Sequence, residues 1–395
     1  MKTPGTYEVK YSINDSLNNK GEATRKVKVV SRLENVVKED TGDSGVYSGN
    51  VTNNYMMFSG MLFRILGVDG DNVKIVAEQD VSNVNYDAID KWLDYYYEHI
   101  PSDSRKYVVK NKYCNMTLTD ENVASVTDCD SYTKEANVSI LSATDLNKAT
   151  AADGTNYLYP QSMSWIRNEK NENEAYTTRS FYYGTTTKYM SFNKNYNLGV
   201  RPVLTIKGDS LIVNGDGSFE NPYSIGDFTK GKAKDKVNTR QSGEYISYSG
   251  MLWRIVDAQD DGTTKVIADA TLSNNGVFVT ARYDTDDEVN VYNPKQNGNV
   301  GYFINNNTTE YIDMDYFVNK EIEVPIYKKA IKYGNESSTK KYKVRLAAPD
   351  IYEMFTAADF HAQNTSSYWF INSSRRENTK AVMAEIGTVL YGDLY

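Results

Sequence analysis

The sequence predicts an α+β protein in which two tandem copies of one module follow a short β-hairpin. Three observations carry this reading. The segment Phe58-Ser59-Gly60-Met61-Leu62-Phe63-Arg64-Ile65-Leu66 returns as Tyr248-Ser249-Gly250-Met251-Leu252-Trp253-Arg254-Ile255-Val256, and self-similarity at so long a period denotes a string of globular modules rather than a solenoid. Short runs of alternating apolar and polar residues, bounded by Gly, Asn and Asp, read as antiparallel strands. Each copy also contains a stretch with apolar residues at helical spacing.

Taken in order, Tyr7, Val9, Tyr11 and Ile13 alternate with Glu8, Lys10 and Ser12 as a half-buried strand. Asn14–Glu22 is rich in turn formers, and Val27 and Val29 alternate with Lys26 and Lys28 as the returning strand. Two strands alone are marginal in water, so this hairpin is expected to dock on the next stretch of chain or to belong to a larger sheet. Asp40–Gly45 reads as a linker. Tyr55–Phe58, Met61–Val68 and Val73–Ala77 then read as three antiparallel strands joined by a Ser-Gly turn and an Asp-Gly-Asp-Asn turn. Ile89, Trp92, Leu93, Tyr96 and Ile100 share one helical face, with Asp87 at the start and Pro101 as the stop. Val138–Leu141 is a short strand, and Thr144-Asp145-Leu146 opens a second helix. The first copy closes with Ser164–Asn168, a Tyr-rich stretch from Tyr176 to Phe192, and Leu198–Ile206. Gly215–Tyr223 reads as a Gly-rich connector; Asp216 and Glu220 do not match the spacing of a calcium loop. In the second copy Thr264–Ala268 answers Val73–Ala77, Arg345–Ile351 answers Ile140–Leu146, and Tyr368–Asn372 answers Ser164–Asn168. Ile351, Met354, Phe355 and Ala358 form an apolar helical stripe, with Pro349 suited to a first turn.

With 395 residues and 40% hydrophobic content, the chain can bury a core in each of about two or three domains. The net charge is −8, and no Lys/Arg cluster with interleaved aromatics stands out, so a nucleic-acid footprint is absent. The longest apolar runs are strand-sized, short of the roughly 20 residues of a membrane helix, so no membrane insertion is expected within the chain. The N-terminus lacks the apolar core of a signal peptide. Thirty-three Tyr against eight Pro suits an adaptable binding surface, though AT-rich codons produce the same balance without selection for binding.

Cys114 and Cys129 lie in the polar stretch Asn111–Ser131. They are expected as a disulfide, with free thiols or a metal site as the alternatives; neither His99 nor His361 has zinc-ligand spacing to them. A disulfide implies an oxidising, extracytoplasmic setting.

Pro4–Tyr11 followed by Ala23–Val30 resembles the last two strands of the immunoglobulin-like repeats of bacterial surface proteins. The ordered landmarks Ser59–Leu66, Trp165–Asn168 and Leu198-Gly199-Val200-Arg201-Pro202-Val203-Leu204 resemble an uncharacterised domain family, often in tandem, from surface and secreted proteins of Gram-positive bacteria. Those landmarks are also similar to C-type-lectin-like and formylglycine-generating-enzyme-like folds. The resemblance implies residues 1–38 as a partial immunoglobulin-like hairpin, 45–226 as a first lectin-like module and 240–395 as a second. Each module would be a twisted antiparallel sheet with two helices and loops gathered at one end. The second copy lacks the Gly-Val-Arg-Pro-Val closing strand, so an open C-terminal edge able to pair with another strand is expected. The family motifs for calcium-dependent sugar binding are not visible, and Cys114 and Cys129 lie too early for the oxidase chemistry of the other relatives.

No nucleophile with a positioned base is visible, so an enzyme is not expected, and neither is a cofactor or a metal. A carboxylate-based hydrolase is the remote alternative. Trp165 and Trp369 occupy matching positions and read as core anchors, as does Trp253, while Arg201 reads as a structural arginine satisfying buried carbonyls or a carboxylate. The residues expected to touch a ligand are Arg179, Tyr182, Tyr183, Tyr189 and Asn193, in the Tyr-rich segment. The functional expectation is a non-catalytic, cell-wall-associated or secreted surface protein that binds a glycan or a surface protein, with a structural spacer as the alternative.

Overall fold

The computed structural model describes residues 5–98, 100–158, 163–178, 188–226, 242–268, 292–327 and 336–349, with short pieces at 273–274, 277–278, 281, 368–370, 374–375 and 383–385. The described chain is mixed α+β, mostly strands in several small sheets around one large one.

Strands β1 (Gly5–Asn14) and β2 (Lys20–Val29) form a two-stranded antiparallel hairpin in register Gly5↔Val29 to Asn14↔Lys20. The chain then enters the main sheet through β3 (Ser31–Arg32) and helix α1 (Leu33–Thr41). Leu33 and Val37, four apart on α1, are fully buried. The stretch read as a linker at Asp40–Gly45 is therefore the end of a packed helix and a 3₁₀ turn. Sequence pattern missed it because α1 carries only one short apolar stripe.

The copied motif builds the centre. Strands β4 (Tyr55–Phe58) and β5 (Met61–Asp69) meet at Ser59 and Gly60, both at positive φ (49° and 79°), the requirement of a two-residue type I′ hairpin. Strand β6 (Asn72–Ala77) continues the meander. A bulge in β5 lets Gly67 bridge to Val46, and a Cβ at Gly67 would lie 2.2 Å from the Gly45 carbonyl oxygen. Beyond β7 (Ser82–Asn85) comes α2 (Ile89–Glu98), which buries Ile89, Trp92, Leu93 and Tyr96. Asp87 lies in the 3₁₀ turn that leads into it, and the Asn85 side chain caps that turn by accepting from the Ala88 N–H at 3.0 Å. Pro101 does end it, and the short α3 (Ser102–Arg105) follows.

Strands β8 (Val108–Val109) and β9 (Val138–Ile140) precede α4 (Ala143–Lys148), which starts with a capping box between Ser142 and Asp145. Then come β10 (Trp165–Glu169), β11 (Glu174–Thr178) and β12 (Tyr189–Asn193), a separate three-stranded sheet. Strand β13 (Asn197–Val200) pairs with β7, and β14 (Pro202–Lys207) pairs with β6, β8 and β9. The Gly-rich segment read as a connector, Gly215–Tyr223, is the turn of a hairpin, between β15 (Leu211–Asn214) and β16 (Tyr223–Ile225), rather than a link into the next module. Strand β16 runs parallel to β4, so this hairpin extends the first sheet to the order β3-β15-β16-β4-β5-β6-β14-β8, with β9 beside β14. A parallel pairing between distant segments leaves no local signal.

Alternate residues of the sheet serve two cores. Phe63, Ile75, Leu204 and Ile206 pack with α1 and α2 on one side. Val76 and Val203 pack on the other with Leu146 of α4 and the loop residues Tyr113, Met116 and Leu118.

In the second copy β17 (Tyr245–Tyr248), β18 (Met251–Ala258) and β19 (Thr264–Ala268) repeat the β4–β6 meander. The match extends to the register: Tyr245 faces Arg254 as Tyr55 faces Arg64, Trp253 faces Ala268 as Phe63 faces Ala77, and both central strands bulge after the equivalent Ile. Ser249 and Gly250 again take positive φ (51° and 72°). Short β20 (Ser273–Asn274) and β21 (Val277–Phe278) pair with each other. Helix α5 (Val300–Asn306) and the long hairpin β22 (Lys320–Tyr327) and β23 (Glu336–Val344) come next, packed through Tyr292, Val324 and Val344. Strand β24 (Tyr368–Phe370) pairs antiparallel with Met383–Glu385. The expected helical stripe at 351–358 and the open C-terminal edge after residue 385 lie outside the described residues.

Candidate functional site

The Trp-Ile-Arg-Asn and Gly-Val-Arg-Pro landmarks meet at the parallel bridge Ser164↔Gly199, just before β10. Trp165 is 1% exposed, donates from Nε1 to the Val84 carbonyl at 2.8 Å, and meets the Tyr86 ring edge-on at 5.4 Å. Its indole face is not open to a ligand. Arg201 is 2% exposed and donates from Nε to the Ala77 carbonyl (2.9 Å) and from Nη1 to the Leu158 carbonyl (2.7 Å). Burial lowers its pKa, and the charges of Glu78 and Asp80 act against that. Gly199 is the complementary feature: a Cβ there would sit 2.3 Å from the Asp80 carboxylate. Asp80 in turn accepts from Ser164 Oγ at 2.6 Å.

Arg64 completes a buried charged cluster. It donates to Asn54 Oδ1 (2.7 Å) and the Val51 carbonyl (2.6 Å), lies 3.7 Å from Glu78, and covers the Tyr55 ring at 3.9 Å. Burial raises the Glu78 carboxyl, opposed by Arg64 and Arg201. Two guanidinium groups thus compensate two carboxylates beneath the sheet. Such a cluster fixes the ends of β6, β13 and β14 relative to each other, because a buried charge without a partner is costly.

Cys114 and Cys129 form a disulfide, with Cα atoms 5.9 Å apart, as expected. It closes the irregular loop that covers the second core, whose base is held by the bridge Asn111↔Ala136. Among the described residues, no three His, Cys, Asp or Glu side chains are grouped to hold a metal ion.

The Tyr-rich segment separates into two fates. Tyr189 is 7% exposed and donates from its hydroxyl to Asn147 Oδ1 at 2.8 Å, so it braces α4. Asn193, at the end of β12, is exposed and borders an open hollow of about 580 Å³ together with Asn171, Glu172, Asn173 and Glu174 of the β10–β11 turn. The turn is self-supporting: Asn171 Oδ1 accepts from the Asn173 and Glu174 N–H groups at 2.9 Å each. The Glu172 and Asn173 side chains make no hydrogen bond among the described residues. A rim of three amides and two carboxylates offers planar donors and acceptors to a polar ligand. Arg179, Tyr182 and Tyr183 lie outside the described residues.

No family model, curated protein or solved structure matches the chain. The site therefore rests on its own geometry.

Trp253 repeats the core role of Phe63 at 5% exposure, with Nε1 donating to the Tyr248 carbonyl at 3.1 Å. Trp369 lies on β24, opposite Ala384. The turn Asn171–Asn173 carries no apolar pattern, so periodicity could not single it out; its only signal is the run Asn171-Glu172-Asn173-Glu174.

The two copies touch through polar contacts that sequence did not suggest. Asp257 accepts from the Ser102 N–H and hydroxyl, both at 3.1 Å, at the first turn of α3. Reciprocally, Asp103 accepts from the Ser242 N–H and hydroxyl, both at 3.0 Å.

Proposed function

We propose that this chain is a non-catalytic extracellular binding protein whose two copies are lectin-like modules and whose first copy takes a polar ligand, a glycan or a surface protein, at the hollow beside Asn193. The hollow carries the reading: it is open, it is walled by a self-supported turn, and its rim leaves the Glu172 and Asn173 side chains available. The disulfide is compatible with an oxidising exterior, and among the described residues no helix is long and apolar enough to cross a membrane. The test is an array of neutral and charged glycans and of surface proteins, probed with the intact chain. Saturable binding that falls about tenfold in the double variant Glu172→Ala/Asn193→Ala is expected. Absence of binding by the folded chain across the array would sink it.

A second reading, a rigid spacer, is favoured by the reciprocal Asp257–Ser102 and Asp103–Ser242 contacts, which tie the copies together. Binding to no array component, with a single fixed distance between spin labels placed in the two copies, is its expected outcome.

A further inference from the structure

The second copy has a hollow of its own, of about 560 Å³, between the loop before α5, the end of α5, the loop before β22 and the end of β23. Its rim carries three cations, Lys295, Lys343 and Arg345, all exposed, and no carboxylate lines it. None of the three side chains has a carboxylate partner among the described residues. The nearby acids are engaged elsewhere: Glu321 and Glu323 both contact Lys341, at 3.0 and 2.9 Å. In a chain of net charge −8 this is a local reversal of sign.

The wall is built as well as charged. Asn305 of α5 donates to the Leu346 carbonyl at 2.6 Å and accepts from the Arg345 and Leu346 N–H groups at 3.3 Å, which holds the end of β23 against the helix. Phe317 and the buried Tyr342 line the hollow. Phe317 is seated against Trp253 at 5.8 Å, so its ring is held in place.

We propose that this hollow binds an anionic oligosaccharide, one bearing carboxylate or sulfate groups. The cations supply charge complementarity, Asn319 supplies amide hydrogen bonds, and the Phe317 ring offers an apolar face to a sugar ring. The three cations and the amides of Asn305, Asn306 and Asn319 give the hollow a polar rim, which suits a hydrated, charged saccharide. This inference rests on the ligand-binding reading above but uses a different face, so the two can fail separately.

The test is isothermal titration of the intact chain with a heparin-derived hexasaccharide, a hexagalacturonate, a neutral maltohexaose and a hexaglutamate peptide. The hexagalacturonate bears carboxylates alone and the heparin fragment bears sulfates as well, so binding of the heparin fragment without the hexagalacturonate points to sulfate and binding of both to carboxylate. Binding of at least one, weakened by added salt and reduced at least about tenfold by Lys343→Glu/Arg345→Glu, is expected. The control is Lys340→Glu, an exposed lysine that does not line the hollow; it should leave affinity unchanged. Retained circular dichroism in all variants separates lost binding from lost folding. The proposal is overturned if neither anionic saccharide binds, if Lys340→Glu costs as much as the double variant, or if hexaglutamate binds more tightly than both. Binding of neutral glycans that depends on Asn193 while both anionic ones fail would overturn this inference alone.

Discussion

Arg254, in the second copy of the repeated motif, donates from Nη2 to the backbone carbonyl of Gly60, the turn glycine of the first copy, at 2.9 Å. The duplicated segment therefore touches its own original. In the first copy the equivalent Arg64 turns inward to Asn54, Val51 and Glu78, so the same residue type at the same register does two jobs. Arg254→Ala is expected to weaken the docking of the copies by about 1–3 kcal/mol, since a charged donor to a buried carbonyl is lost. Differential scanning calorimetry should show two separated transitions in the variant where the parent shows closer coupling.

The Cys114–Cys129 bond closes a short loop over the second core. Replacing both cysteines by serine should cost about 3 kcal/mol, chiefly by freeing the unfolded chain. Urea titrations of parent and variant, each with and without reductant, check this. Reductant should lower the midpoint of the parent and leave the variant unmoved.

Asp145 accepts from Lys74 Nζ at 2.6 Å and closes the α4 capping box with Ser142. Burial works against its ionisation, but the Lys74 charge and the hydrogen bonds from Lys74 and Ser142 outweigh it, and the carboxyl lies below its ordinary value. A carboxyl with a lowered folded pKa contributes stability that is present above the unfolded value and is lost as pH falls through the folded one. Asp145→Asn should thus destabilise the chain near neutrality and flatten its acid limb, as read from urea midpoints between about pH 6 and pH 2.

Arg201 bridges the Ala77 and Leu158 carbonyls, and it faces the charges of Glu78 and Asp80. Arg201→Met should cost about 3–5 kcal/mol, because it strands buried carboxylates without their cation. Adding Glu78→Gln should recover part of that loss by removing one of the stranded charges. Chemical denaturation of the single and double variants gives the comparison, and an additive result would contradict the shared cluster.

The parts of the fold legible beforehand are those with local causes. The β4–β6 meander comes from alternation and a Ser-Gly turn, α2 from one apolar stripe, and α4 from Asp145 within its first turn. The disulfide was legible from two cysteines in one polar loop. Helix α1, the β15–β16 hairpin and its parallel pairing with β4 were not, because their partners are remote in sequence and short segments carry little periodicity. Among the site residues, Asn193 does border a hollow, whereas Tyr189, chosen on the same compositional ground, turns inward to Asn147. Composition cannot distinguish the two faces of a strand once the register is unknown.

By itself the sequence determined the α+β class, the duplication and the strand order within each copied meander, since turn chemistry and side-chain period act between neighbours. Only the tertiary structure decided which charges share the buried cluster, how Arg254 reaches Gly60, and where cations gather around a hollow. Those relationships join segments far apart in the chain, and their energies depend on burial and distance that exist only after the sheets have packed.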